Sequence, residues 1–344
     1  MTPAPLTPLV IRFGAFGDMV LMIPVLKLLR ERYGRACDVV SSGPWTEPLL
    51  QRVPAAGERF YLTSRRAPYW FNRSQQKLVR WLRARPPGPV YVFEPDEKTF
   101  SLLRRARIAP EWIVSFRDHP RRPGEHILAH SLRLARATPA ALAPAVPDTS
   151  ATPDARPSLT DADRRDCADW LARQNLSDSP LVLIQPGNKK TMRRGRRRRR
   201  TNLKYWPEEN WARVIAAVRE NFPATRVLLC GSPAERPLAE DIRRRVPADG
   251  VIVATDDLPI PRLLALQERA HSMISVDTGP AHSAAAMGCP LVVLFAHIDP
   301  QLYAPIPTTA PVKILRPDTT ATEIPFASIA PETVVAAWRE LAGR

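Results

Sequence analysis

Short apolar runs recur along this chain, and most are followed by a stretch that reads as helical. Residues 9–13 read as a buried strand and 18–33 as a helix; 37–41 and 90–93 are strand-like, and 78–83 and 127–136 helical. The pattern then breaks. Pro, Ala, Thr and Asp dominate 138–158 (TPAALAPAVPDTSATPDARPS), the composition of a stiff linker. Beyond it, strands are expected at 181–185, 227–230, 251–254, 273–276, 291–295 and 312–315. Helices are expected at 208–220, 234–244, 261–271, 281–287 and 332–341. Strands separated by helices predict parallel sheets covered on both faces. The expectation is an α/β chain of two doubly wound domains, 1–150 and 159–344, facing a central cleft, with ligands at the carboxyl ends of the strands.

Composition narrows the setting. The chain has 344 residues, of which 44% are hydrophobic, enough for about two domains. No apolar run reaches the roughly 18 residues of a membrane span. The N-terminal stretch is interrupted by Arg12, Asp18 and Lys27, which argues against a signal peptide. Cys37, Cys167, Cys230 and Cys289 are far apart and lack C-x-x-C spacing. That disfavours a zinc site or disulfide framework and suits a reducing compartment. Lys and Arg number 50 against 34 Asp and Glu, a net charge of +16. Such an excess suits an anionic partner: nucleic acid, an acidic membrane surface or a phosphorylated substrate. The plainer reading of part of it is a GC-rich genome that favours arginine codons over lysine.

The densest chemistry lies in Asp277-Thr278-Gly279-Pro280-Ala281-His282, between an apolar strand and a small-residue helix. Thr278 can cap that helix, Gly279 permits close backbone approach and Pro280 suits a first helical turn. Free N–H groups and the positive end of the helix make a phosphate seat. Asp277 and His282 add a carboxylate and an imidazole beside it.

Other strand–helix junctions carry further candidates. Arg12-Phe13-Gly14-Ala15-Phe16-Gly17-Asp18 places a carboxylate at a helix start, where a plain N-terminal Asp is the simpler reading. It lacks the third glycine of a dinucleotide fingerprint. Gln185-Pro186-Gly187-Asn188 ends a strand in a small-residue loop, as an ordinary Pro-Gly turn also would. Lys204-Tyr205-Trp206-Pro207-Glu208-Glu209-Asn210-Trp211 marks a helix start. Lys204 is expected to be free for a diphosphate, with Trp206 and Trp211 in the core. In Cys230-Gly231-Ser232-Pro233-Ala234-Glu235, Glu235 can accept ribose hydroxyls or favour the helix N-terminus. Asp161-Ala162-Asp163 mimics a metal-binding D-x-D but reads as solvated helix charge. Residues 192–200 (MRRGRRRRR) hold seven arginines inside a domain. A solvated segment, a nucleic-acid patch, or a loop over an anionic ligand or membrane all fit.

In this order the junctions resemble glycosyltransferase family 9, the heptosyltransferases of lipopolysaccharide core assembly. The resemblance covers most of the chain. It rests on the strand–G-x-x-G-D–helix with Pro24 in the next turn, the Pro-Gly loop, Lys204 with its Trp-Pro-Glu-Glu-Asn-Trp, and 277–282. The segment Leu294-Phe295, Asp299-Pro300 and Tyr303-Ala304-Pro305 adds to it, although Ala296-His297 replaces an expected Gly-containing turn.

The resemblance implies a GT-B fold of two Rossmann-like domains, the N-terminal one binding acceptor and the C-terminal one the nucleotide-sugar, with the last helix a candidate to pack back on the N-terminal domain. It implies an inverting transfer, most often from ADP-L-glycero-D-manno-heptose. Asp18 corresponds to the general base. Lys204, Thr278 and Gly279 correspond to diphosphate contacts, Asp277 to a sugar contact and Glu235 to the ribose contact, with His282, Gly187 and Asn188 in the donor site. A seat of helix N–H groups and Lys204 would make a metal dispensable, and no other cofactor is expected. Arg193, Arg194, Arg196, Arg197, Arg198, Arg199 and Arg200 are candidates to contact an anionic lipid-linked acceptor or the inner face of the inner membrane, giving a cytoplasmic, peripheral enzyme. The alternatives are a GT-B enzyme with another donor, or a basic nucleic-acid-binding protein; recognition motifs for nucleic acid are absent.

Overall fold

The computed structural model describes residues 6–65, 67–142, 149, 152–188, 190–192, 202–247, 249–295, 298–317 and 328–342. The chain divides into two compact units, Met1–Ser158 and Leu159–Arg344.

The first unit is built on strands β1 (Leu9–Arg12), β2 (Cys37–Ser41), β3 (Ala56–Tyr61), β4 (Val90–Val92) and β5 (Ile113–Ser115). They form one parallel sheet in the order β3-β2-β1-β4-β5. Every residue of β2 and β4 is buried, as strands covered on both faces require. The helices are α1 (Phe16–Leu21), α2 (Ile23–Tyr33), α3 (Glu47–Leu50), α4 (Arg73–Ala84), α5 (Glu97–Ala106) and α6 (Ile127–Arg136).

The single helix expected over 18–33 is two. Pro24 has no N–H to donate, and its ring opposes the carbonyl four residues back, so the chain restarts as α2. Strands β3 and β5 and helices α3 and α5 are additions to the set expected for this unit. The described part of the predicted linker is tied to the first unit. Lys27 Nζ donates to Asp154 Oδ1 at 2.7 Å and to the Arg156 carbonyl at 2.9 Å. Ser158 N donates to the Arg52 carbonyl at 2.7 Å, and Ala155 is buried.

The second unit carries β6 (Leu181–Gln185), β7 (Arg226–Cys230), β8 (Val251–Ala254), β9 (Ser272–Val276), β10 (Leu291–Leu294) and β11 (Val312–Leu315). All are parallel, in the order β11-β10-β9-β6-β7-β8. Its helices are α7 (Asp161–Arg173), α8 (Glu208–Asn221), α9 (Arg236–Arg243), α10 (Ile260–Arg269), α11 (Gly279–Met287), α12 (Pro300–Tyr303) and α13 (Pro331–Ala342).

The two faces of this sheet hold two cores. Val182 and Ile184 point to one, with Trp206, Trp211 and Trp338; Leu181 and Leu183 point to the other, with Trp170, Leu266 and Phe295. Trp206 and Trp211 are fully buried and meet edge to face at 4.8 Å. The last helix, α13, packs on its own unit, where Trp338 Nε1 donates to Ser272 Oγ at 2.8 Å. Asp161 opens α7, as the sequence suggested, but Asp163 is not solvated helix charge. It is buried, and its carboxylate accepts from Thr160 N at 2.9 Å while Thr160 Oγ1 accepts from Asp163 N, a reciprocal cap.

In each sheet the strand order reverses beside the first strand, between β1 and β4 and between β6 and β9. The carboxyl ends of strands at such a reversal leave the crevice where doubly wound sheets bind ligands.

Candidate active site

At the first reversal, β1 runs into the turn Phe13-Gly14-Ala15 and then α1. Asp18 lies in the first turn of α1. Its Oδ2 accepts from Ala15 N at 2.7 Å and its Oδ1 from Arg12 Nη2 at 2.7 Å. The helix-start role is therefore met, and the side chain remains 31% exposed. A Cβ at Gly14 would stand 2.2 Å from Asp18 Cβ, so only glycine lets the turn close over this carboxylate.

Glu94, after the neighbouring strand β4, completes the cluster. Its Oε1 accepts from Phe13 N at 2.7 Å and from Arg12 Nη1 at 3.4 Å. Its Oε2 accepts from Arg65 Nη1 at 3.2 Å, and Arg65 also bonds Asp96 Oδ2 at 2.9 Å. The guanidinium of Arg65 covers the Phe13 ring at 4.5 Å. Sequence reasoning missed Glu94, Arg65 and Asp96 and gave Arg12 no role. The available signal was an acidic pair, Glu94 and Asp96, at the end of a short apolar strand.

At the second reversal, Asp277 follows β9 and is buried. Lys204 was expected to be free. Instead its Nζ donates to the Asp277 carbonyl at 2.7 Å and forms an ion pair with the Asp277 carboxylate. Burial of Asp277 in low dielectric makes a fixed cation beside it necessary.

Thr278 is the N-cap residue of α11, in extended conformation, but its hydroxyl makes no capping bond. The reason lies in the next two residues with a claim on it: Pro280 has no N–H, and Ala281 N already donates to the Thr278 carbonyl at 3.0 Å. Among the described residues, the N–H groups of Thr278 and Gly279 have no acceptor. Lys204 is thus adjacent to a helix N-terminus with unspent donors. His282, half-buried, lies in the same first turn.

Two adjacent strand ends complete this side. Gln185, the last residue of β6, donates from Nε2 to Glu235 Oε1 at 3.1 Å and to the Gly187 carbonyl at 3.0 Å. Glu235 Oε2 accepts from Ser232 N at 2.9 Å and Ser232 Oγ at 2.7 Å. Burial pushes the Glu235 carboxyl above its ordinary range, against the pull of the Ser232 and Gln185 donors. A Cβ at Gly187 would lie 3.0 Å from Glu235 Oε1. Asn188 N donates to Thr191 Oγ1 at 3.0 Å, and Asn188 Oδ1 accepts from Lys190 N at 2.8 Å. Asp277, Gly187 with Asn188, and Glu235 therefore follow three consecutive strands of the sheet, β9, β6 and β7.

The seven arginines of 193–200, and Ala296-His297, lie outside the described residues. Among the described residues, no three His, Cys, Asp or Glu side chains converge as metal ligands. Among the described residues, no helix is long and apolar enough to cross a membrane.

The family model for glycosyltransferase family 9 (heptosyltransferase) matches residues 98–322, more than half of the chain. The chain belongs to glycosyltransferase family 9. It is therefore a glycosyltransferase of the heptosyltransferase family, moving a glycosyl group from a nucleotide sugar. Lipopolysaccharide heptosyltransferase 3 of Escherichia coli K12 is 24% identical over 301 residues, spanning 84% of this chain and 82% of that protein. The structure of E. coli ADP-heptose lipopolysaccharide heptosyltransferase II covers 98% of each chain at 18% identity, with a TM-score of 0.76. A family 9 glycosyltransferase from Veillonella parvula covers 99% of this chain and 98% of its own, at 18% identity and a TM-score of 0.77. These likenesses make the fold GT-B, as the order of junctions implied.

Proposed function

We propose that this enzyme transfers a heptose from ADP-heptose to a lipopolysaccharide core acceptor, with inversion at the anomeric carbon. The observation that carries the reading is the Lys204–Asp277 pair beside the uncapped start of α11. A leaving diphosphate gains negative charge as the glycosidic bond to it breaks. Lys204 and the Thr278 and Gly279 N–H groups supply fixed positive potential for that charge, without a metal. Asp277 orients Lys204 and, on this reading, also meets hydroxyls of the sugar. Glu235 accepts from the ribose hydroxyls, Gly187 gives the nucleotide room, and Asn188 and His282 line the same seat.

Asp18 takes the proton of the attacking acceptor hydroxyl. Arg12 and Ala15 N hold its two oxygens, so the carboxylate is fixed in direction while its open side stays accessible. The related heptosyltransferases named above act on lipopolysaccharide, which supports a core acceptor and a peripheral position at an anionic inner-membrane face. Arg193, Arg194 and Arg196 to Arg200 are assigned to that contact.

The test is release of the matching nucleoside diphosphate by purified protein given a truncated lipopolysaccharide acceptor and ADP-heptose, or a GDP-, UDP- or dTDP-sugar in its place. Acceptor-dependent release with ADP-heptose supports the proposal. Turnover only with another nucleotide sugar moves the chain to a different donor.

A further inference from the structure

Trp70 is 72% exposed and its neighbour Phe71 is 86% exposed, the most exposed large apolar side chains among the described residues. They form the tip of a turn, Tyr69–Phe71, directly before α4. Hydrophobic burial would normally draw such a pair inward.

The turn is held from behind by side-chain amides instead. Asn72 Nδ2 donates to the Ser64 carbonyl at 3.0 Å, Gln75 Nε2 to the Ala67 carbonyl at 3.0 Å, and Gln76 Nε2 to the Trp70 carbonyl at 2.9 Å. Asn72 and Gln75 are themselves buried. The guanidinium of Arg105 lies 4.4 Å from the Tyr69 ring centroid and 5.3 Å from that of Trp70. The fold thus keeps two aromatic side chains projecting into water.

Helix α4 continues the surface with charge. Its sequence, RSQQKLVRWLRA, contains no acid. Arg73, Lys77 and Arg80 are exposed and recur at steps of four and three, so they share one helix face. Among the described residues none of the three has an ion-pair partner. Aromatic rings beside an unpaired cationic stripe match a lipid headgroup region, where rings settle at the interface and cations meet phosphates. Two projecting rings and a stripe of like charge lack the broad apolar area of a stable protein interface.

The same loop reaches the candidate base. Arg65, four residues before Tyr69, bonds Glu94, and Glu94 bonds Arg12, the partner of Asp18. We infer that the Tyr69–Phe71 tip and the Arg73, Lys77 and Arg80 stripe dock the N-terminal unit on an anionic lipid surface, on the side of the unit that carries Asp18. The placement toward a lipid-linked acceptor rests on the proposed function; the docking itself does not.

The experiment is co-sedimentation of the full chain with phosphatidylglycerol-containing vesicles and with neutral phosphatidylcholine vesicles, without donor or acceptor. Two variants are compared with the wild type: Trp70→Ser/Phe71→Ser, and Arg73→Ser/Lys77→Ser/Arg80→Ser. The wild type partitions to the anionic vesicles. The aromatic variant loses at least tenfold in partition at low and high salt alike. The basic variant loses about fivefold per cation removed at low salt, and the difference shrinks at high salt. Both variants keep the wild-type far-UV circular dichroism and cooperative thermal unfolding, which excludes misfolding of the first unit. Unchanged partition of either variant, or no binding of the wild type to anionic vesicles, overturns the inference. Vesicle binding that follows the expected pattern in a protein unable to transfer heptose leaves the docking intact and removes only the proposed reaction.

Discussion

Arg12 and Asp18, six residues apart, face each other across the first strand–helix turn, with guanidinium Nη2 2.7 Å from carboxylate Oδ1. The other carboxylate oxygen is held by Ala15 N at 2.7 Å. Glu94, from the neighbouring strand end, bonds Arg12 in turn. A short chain of charged groups therefore fixes the direction of one accessible carboxylate, as a positioned base requires.

Replacing Asp18 by Asn should lower kcat by about 10²–10⁴-fold, the usual contribution of a general base. The affinity for ADP should stay within a few-fold, because Asp18 belongs to the first unit's site. Steady-state kinetics and calorimetric titration of ADP check both halves. Wild-type turnover by Asp18→Asn would rule out the base role.

Gly14→Ala tests the same carboxylate by sterics alone. The added methyl would sit 2.2 Å from Asp18 Cβ, so the turn must move. Overpacking of this kind costs about 1–3 kcal/mol. We expect that loss of stability in denaturant titration, together with a kcat that falls toward that of Asp18→Asn while ADP still binds. A variant with unchanged stability and kcat would show that the turn is not held as described.

Lys204→Ala should weaken ADP binding by about 1.5–3 kcal/mol, the range for a hydrogen bond to a charged group. It should also lower stability, because Asp277 is left buried without its cation. Lys204→Ala/Asp277→Asn should recover the stability but not the ADP affinity, separating the two roles. Excess EDTA should leave transfer by the wild type largely intact. Complete loss on chelation, restored by Mg²⁺ or Mn²⁺, would contradict a metal-free diphosphate seat.

Glu235 gives a pH signature. Burial raises its pKa in the folded state above the unfolded value, so the folded protein binds the proton more tightly. Its contribution to stability is therefore full below the unfolded pKa and declines as pH rises through the folded one. Glu235→Gln removes this titration. Thermal unfolding across the acid range should show the variant gaining on the wild type as pH rises through that window. A constant difference in Tm across it would mean that the carboxyl is not raised.

The alternation of apolar strands and helices was legible because parallel strands buried on both faces must be almost wholly apolar, as 181–185 and 273–276 are. Edge strand β3 was missed because AGERFY is only half-buried and carries polar residues. The break between α1 and α2 was written in Pro24 but overridden by the apolar run around it. The strand–turn–helix junctions located both strand-order reversals, since glycines and a carboxylate at a strand end are local features. The partners of those residues were not legible. Lys204 and Asp277 lie 73 positions apart, and Arg12 and Glu94 are 82 apart, so only the parallel sheet brings each pair together. The capping failure of Thr278 was hidden for a different reason: it depends on Pro280 lacking a donor and on Ala281 having already spent its own.

The most direct test of the central claim is ADP release from ADP-heptose by the purified chain, with and without a truncated lipopolysaccharide acceptor, run beside Asp18→Asn. The account predicts acceptor-dependent ADP release by the wild type, a heptose added to the acceptor by mass, and loss of both in Asp18→Asn. Acceptor modification at equal rates in the two proteins, or no heptose transferred by the wild type to any core acceptor, would contradict it.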